Sequence, residues 1–293
     1  LIGMFLFVLS SHAQHKPTVY VLATGGTIAG AGTSATGSAY SAGEIGVEEL
    51  LMAVPVISEV SHIRSEQIAS IGSQDMTQTV WLALAKRINE LAQDPAIDGF
   101  VISHGTDTQE ETAYFLNLTA KTDKPIVLVG AMRAATALSA DGPRNLFHAV
   151  ACAASHTAKG RGVMLVMDDQ IFGADDLQKM HTLKVGAFEN PNYGPLGFMY
   201  NKKPYFTRQS LKKHTINSEF DISNINQLPK VSIIMGHVDA DADFIHYAIA
   251  QGAKGIVYAG VGNGNISSLC KEALHAAAKE QNIAVLRSSR IGI

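Results

Sequence analysis

The sequence predicts an α/β protein: a larger N-terminal domain built on a parallel sheet, then a smaller C-terminal α/β domain. Short apolar runs rich in β-branched residues alternate with stretches of helical period, and most runs end in a turn of Gly, Ser, Thr or Asp. The alternation lapses between Phe188 and Pro229 and restarts at Lys230. Runs that are apolar at every position are what strands covered on both faces look like, and open α/β sheets hold ligands at the carboxyl ends of such strands. These features divide the chain into a leader remnant (1–13), an N-terminal α/β domain (14–206), a linker (207–229) and a C-terminal domain (230–293).

Taken in order, residues 4–9 (Met-Phe-Leu-Phe-Val-Leu) followed by Ser11-His12-Ala13 have the form of a signal-peptide core and cleavage site. They predict export to a periplasmic or secreted location, with mature protein from about Gln14. The run is too short to span a bilayer, so no membrane anchoring is expected. No basic segment or initiator Met precedes it, which points to a chain clipped at its front. Residues 19–23 then predict a buried strand, ending in Thr24-Gly25-Gly26-Thr27 and a small, polar, mobile loop over 30–43. A short helix over 46–54 stops at Pro55, and a strand over 67–71 ends in Gly72-Ser73-Gln74-Asp75. A helix over 76–91 leads to the strand 99–103, which ends in His104-Gly105-Thr106-Asp107-Thr108, and a helix through 118 follows. The strand 126–129, the helix 143–155, the strand 163–167 and a hairpin over 197–206 complete the first domain. In the second, strands at 231–235, 255–259 and 283–287 alternate with helices at 242–250 and 266–279.

With 293 residues, 46% hydrophobic and 17% charged, the chain can bury a sizeable core. A net charge of −3 without any Lys/Arg cluster longer than a pair excludes nucleic acid as the main partner and favours a small solute. Cys152 and Cys270 allow at most one disulfide, and both fall in amphipathic helical stretches, where unbridged core thiols are expected. Three strand tips offer Thr27, Ser73-Gln74-Asp75 and Thr106-Asp107. Hydroxyls, an amide and carboxylates with no metal cage suit a small zwitterion, and Thr27 can be a nucleophile if a base takes its proton. The ordinary use of such residues is helix capping, expected for Asp75 and Thr108. His104 has a structural reading. Neither glycine turn is a dinucleotide fingerprint: 25–30 does not open into a helix, and 260–265 has Ser267 at the third glycine position and no acidic residue after the next strand. Asp239-Ala240-Asp241-Ala242-Asp243 departs from a calcium loop, with Phe244 at the glycine position and Ala250 at the terminal Glu, and reads as helix capping.

The stretches ATGGTIAG (23–30), IGSQDM (71–76), SHGTDTQEETAYFL (103–116), VGAMR (129–133), SADGPRNL (139–146), NYGPLG (192–197), GVGNGN (260–265) and RSSR (287–290), in this order, resemble the bacterial-type L-asparaginase/glutaminase-asparaginase family in its exported form. The resemblance implies hydrolysis of L-asparagine to L-aspartate and ammonia, with Thr27 as nucleophile and Tyr40 closing over the site from the mobile loop. Thr106 and Lys179 would form a second hydroxyl–amine pair, and a desolvated lysine whose pKa falls can serve as base. Ser73, Gln74 and Asp107 would grip the α-carboxylate and α-ammonium of the substrate, orienting its amide. Asn265 would reach a neighbouring subunit's site in a homotetramer with shared sites. No metal or organic cofactor is implied. Around Lys179 the chain departs from the family pattern at Asp175 and Met180. Covalent and direct water attack are left open, as is asparagine against glutamine, since one methylene is worth only about 1–3 kcal/mol in a pocket. The rival reading is a non-catalytic amino-acid-binding protein. The chain stops at Ile293, where the family continues into a segment that supplies an acidic residue and a final helix, so a weakly active, aggregation-prone chain is the expectation.

Overall fold

The structure is a computed structural model that describes residues 16–32, 40, 41, 43 and 45–292; for 31, 32, 40 and 41 only the backbone is described. The leader remnant over 1–13 and most of the loop over 30–43 lie outside the described residues. The chain divides into two compact units, Leu1–Asn224 and Ile225–Ile293.

The larger unit carries strands β1 (Thr18–Gly25), β2 (His62–Ile71), β3 (Gly99–Ser103), β4 (Ile126–Val129), β5 (Val163–Met167), β6 (Gln170–Gly173), β7 (Gly197–Tyr200) and β8 (Lys203–Phe206). They form one sheet in the order β8-β7-β6-β5-β4-β3-β1-β2. The five strands from β2 to β5 pair in parallel, whereas β6, β7 and β8 are antiparallel additions. The sheet is therefore mostly parallel, as expected, with an antiparallel margin that includes the expected hairpin over 197–206. The cause of that margin is the turn after β5. Asp168 and Asp169 take φ of 49° and 60°, the doubly left-handed geometry that folds a strand back in two residues. Asn201 and Lys202 repeat it between β7 and β8, with φ of 47° and 64°.

Helices α1 (Val47–Met52), α2 (Gln78–Leu91), α3 (Gln109–Thr119) and α4 (Gly142–Ala153) cover the sheet. One face buries Val19, Val21, Ala23, Val101, Val127, Val129, Met164 and Val166 against Leu50 of α1 and Leu146, Ala149, Val150 and Ala153 of α4. Alternate residues, Leu22, Phe100, Ile102, Ile126 and Leu128, point the other way and are equally buried. Fully burying a side chain of Val, Leu, Ile, Phe or Met is worth about 1.5–3 kcal/mol, so the central strands contribute substantially to the unit's stability. On α2 and α3, Trp81 and Phe115 stack with ring centroids 5.1 Å apart.

Most boundaries differ from expectation by a few residues, and two of the differences bear on the site. The strand read as 67–71 starts at His62, because its first half is a polar, half-exposed edge without an apolar run. The helix read as 76–91 starts at Gln78: the Thr77 side chain accepts the Val80 N–H and so caps it, whereas Asp75 closes a short 3-10 turn, Ser73–Asp75. Asp75 as cap is thus corrected. Thr108 occupies the cap position of α3, but its hydroxyl is turned to Ser73 and caps nothing.

The smaller unit alternates β9 (Val231–Met235), α5 (Asp243–Ala250), β10 (Gly255–Gly260), α6 (Ser268–Glu280) and β11 (Ala284–Ser289), in a parallel sheet ordered β9-β10-β11. Ile245, Ala248, Ile256, Tyr258, Cys270, Leu274 and Ala277 form its core, while Ile233 on the other face of β9 is 75% exposed. Asp241 accepts the Asp243 N–H at the start of α5. Cys152 and Cys270 are both buried and unbridged, and burial pushes the Cys152 thiol up to about 12. No helix among the described residues is long and apolar enough to cross a membrane.

Gly26 has φ +85°, and a Cβ built on it would lie 2.2 Å from the Gly105 nitrogen. Backbone cannot yield there as a side chain would. Gly26→Ala should cost about 1–3 kcal/mol or more, read as a lower urea midpoint, with loss of activity in the folded fraction. An unchanged midpoint would show that the two loops can part freely.

Candidate active site

The order β4-β3-β1-β2 places a topological switch at β1 and β3: the chain leaves β1 toward β2 on one side and returns to β3 on the other. At such a point the loops diverge and leave a crevice at the carboxyl ends of the strands. Three of the polar tips meet there. The Gly26 N–H donates to the Ile71 carbonyl at 3.0 Å, and Thr24 Oγ1 donates to the Ser103 carbonyl at 2.8 Å. Ser73 Oγ accepts the Asp107 N–H at 3.1 Å while its carbonyl accepts Thr108 Oγ1 at 2.8 Å. Thr27, Ser73 and Thr106 are each about 5% exposed or less.

A fourth loop follows the tip of β4 and is fixed at its far end by Asp141. The Asp141 carboxylate accepts the N–H groups of Met132 and Arg133 at 3.0 and 2.9 Å and Asn145 Nδ2 at 3.1 Å. The start of α4 is thereby tied to the tip of β4, and Pro near its first position suits a helix start. Asp141 and Asn145 were not among the expected site residues; only their place in the SADGPRNL stretch marked them.

Lys179 lies on a two-residue ladder, Gln178–Lys179 paired with Phe188–Glu189, outside the large sheet. Its Nζ donates to Thr106 Oγ1 at 2.8 Å and to Asp107 Oδ1 at 2.5 Å. The lysine side chain is 16% exposed and the Asp107 side chain 60%, so the pair has one sheltered and one solvent-facing member. Its backbone N–H is held by Glu110 of α3. Gln74 is exposed, and its amide folds back over Gly72. Tyr40 is described through its backbone alone, which pairs with Gly32; its side chain lies outside the description. Asn265 belongs to the smaller unit, where it exchanges backbone hydrogen bonds with Val261 in the 260–265 turn.

Behind the tip of β3, His104 is fully buried. Its Nδ1 lies 2.6 Å from the Gly105 carbonyl, which can only accept, so Nδ1 carries the proton. Nε2 then accepts from Thr112 Oγ1 at 2.8 Å, and Thr112 in turn accepts the indole N–H of Trp81 at 2.8 Å. Desolvation pushes His104 down to about 4, and the ring is neutral at pH 7. Its role is to hold the Gly105 loop from below. Gln109 is also fully buried, beside Gly130 and the Thr106 methyl, with neither amide atom hydrogen-bonded among the described residues. No group of three His, Cys, Asp or Glu among the described residues is arranged to hold a metal ion.

Residues 18–212 match the family "Asparaginase, N-terminal" and residues 230–293 match "Glutaminase/Asparaginase C-terminal domain". The chain is 49% identical over 286 residues to a "Probable L-asparaginase periplasmic" of Haemophilus influenzae, covering 98% of this chain and 81% of that one. It is 45% identical to a "Glutaminase-asparaginase" of Pseudomonas fluorescens biotype A, covering 98% and 81%. In structure it is similar to a probable cytoplasmic L-asparaginase of Campylobacter jejuni, with a TM-score of 0.91, 46% identity and coverage of 94% and 84%.

Two outcomes follow from the buried polar groups. Because the folded pKa of His104 lies near 4 against an ordinary 6.5, the unfolded chain holds a proton in this window that the folded chain lacks. Stability is then complete above about pH 6.5 and falls toward pH 4, by up to about 1.4 kcal/mol per pH unit for this one proton. In urea melts across pH 4.5–7, His104→Gln should be shallower in slope by about one proton; an equal slope would contradict it. Gln109→Met, which removes two unpaired polar atoms at similar volume, should raise the urea midpoint by the equivalent of about 1–2 kcal/mol. A lower midpoint would mean that the carboxamide is satisfied.

Proposed function

The chain belongs to the bacterial-type asparaginase/glutaminase-asparaginase family, and from that membership we propose that Thr27 is the nucleophile of an amidohydrolase acting on L-asparagine. The overall reaction yields L-aspartate and ammonia. In this reading Ser73 and Gln74 receive the α-carboxylate and Asp107 the α-ammonium, so that the side-chain amide is presented to Thr27. Thr27 Oγ1 adds to the amide carbon as its proton leaves, ammonia departs with a proton returned to it, and water then cleaves the acyl-threonine ester. Thr106 and Lys179 handle protons in these steps, a task that needs Lys179 as the neutral amine when it accepts. Tyr40 covers the site.

The observation that carries the reading is the convergence at one switch point of a buried threonine on β1's tip and a Thr106–Lys179–Asp107 set on β3's tip. Each half is ordinary alone; together they supply a nucleophile, a hydroxyl–amine pair and a carboxylate for one small zwitterion. L-Glutamine is the second substrate to test, since relatives carry both activities in their names. We place Asn265 at the site of a neighbouring copy in a homotetramer, checked by light scattering. The apolar leader and the relative named periplasmic support export, against the cytoplasmic name of the structural neighbour; cell fractionation decides.

Thr27→Ala should keep a native urea midpoint and lower ammonia release from asparagine by at least about a thousandfold. Lys179→Met should lower kcat far more than it raises KM. Unchanged turnover in Thr27→Ala removes the nucleophile assignment, and asparagine binding without ammonia release by the wild-type chain would favour a binding protein.

A further inference from the structure

Lys179 poses a positioning problem. Its Nζ meets Thr106 and Asp107, yet its backbone belongs to a two-residue ladder that the eight-stranded sheet does not anchor. A lysine side chain has four rotatable bonds and loses much rotamer freedom when fixed, so the root of the chain has to be set accurately for the tip to stay on target. Beyond that ladder, one side chain ties the root to the rest of the unit. Glu110 Oε2 accepts the Lys179 N–H at 2.5 Å.

Glu110 stands in the first turn of α3, immediately after the Thr106-Asp107-Thr108 tip. One rigid element therefore grips both ends of Lys179: the tip through Thr106 and Asp107, the root through Glu110. An acid in the first turn of a helix is usually explained by the helix dipole, and Glu111 beside it has that explanation available. Glu110 differs because its carboxylate is half-buried and directed at a backbone donor on a distant segment. Burial raises its pKa, an expense that a mere dipole partner at the surface would not incur.

We propose that Glu110 is a positioning residue for the reaction, holding Lys179 in register with Thr106 and acting only through that lysine. This rests on the reading in which Lys179 takes part in proton transfer. It assigns Glu110 a function separate from binding: the carboxylate touches neither substrate nor reacting atoms, and its effect falls on kcat. A displacement of about 1 Å in a catalytic group can cost about a hundredfold in rate.

The test is a cycle of four proteins, the wild type, Glu110→Ala, Lys179→Met and the double variant, with Glu110→Gln as a fifth. Steady-state kcat and KM for asparagine and the urea midpoint are measured for each. Glu110→Ala should lower kcat between about tenfold and a hundredfold with KM changed less than about threefold. Glu110→Gln, which keeps an oxygen acceptor and loses the charge, should recover most of kcat. In the Lys179→Met background, Glu110→Ala should cost no further rate. The proposal is overturned if Glu110→Ala keeps kcat within about twofold of wild type, if Glu110→Gln is as impaired as Glu110→Ala, or if the alanine change costs as much without the lysine as with it. If Lys179→Met itself turns over like the wild type, the failure belongs to the catalytic reading of Lys179 and removes the basis for Glu110 as well.

Discussion

Backbone-to-backbone contact at the strand tips is the constraint on which the rest of the larger unit depends. Gly25 lies against Ile71, Gly26 against Gly105, and Gly105 against Ser73, each so closely that a Cβ would fall within about 2.5 Å of the neighbour. Three loops from distant parts of the chain are thus in close register, with only the small Ser73 side chain between its own loop and Gly105. The hydroxyls of Thr27 and Thr106 inherit that register because each follows a glycine in contact, and the Ser73 hydroxyl is itself the atom that Gly105 meets. The central strands supply the force and the glycines supply the fit.

Charge in the site is arranged in layers. The innermost layer is polar but neutral: Trp81, Thr112 and His104 form a chain in which each group donates once and ends on the Gly105 carbonyl. A buried network of this kind stiffens the loop only while every member is satisfied, and protonating the ring would break the pattern. Formal charges stand further out, with Lys179 sheltered and Asp107 largely in solvent. The neutral scaffold is thus separated from the charged groups of the rim.

The strands that the sequence reveals best are those buried on both faces. Gly99–Ser103, Ile126–Val129 and Val163–Met167 agree residue for residue, since an uninterrupted apolar run has well-marked ends. The first half of His62–Ile71 is hidden because an edge strand gains its stability from one neighbour and carries polar residues. Gln170–Gly173 is hidden because Asp168-Asp169 gives no Asn-Gly or Asp-Gly signal for the turn that starts it. At the site, Thr27, Ser73 and Thr106 are visible from their glycine-flanked tips. Lys179 was reached through family likeness, for nothing in its spacing distinguishes it from a surface lysine. Glu110 and Asp141 act on backbone donors far away in sequence, a relation with no local pattern.

The place of Thr18–Gly25 in the sheet has a consequence for how the protein is made. Val19 pairs with Ile63 on one side and Gly99 on the other, so a strand buried along almost its whole length is synthesised before both of its neighbours. At about 5–20 residues per second, its second partner emerges roughly 4–16 seconds after it does. Through that interval a short, apolar, β-branched segment with unpaired edges is available to any other nascent chain. Its vulnerability is set by the order of elements along the chain and is independent of how stable the finished sheet becomes.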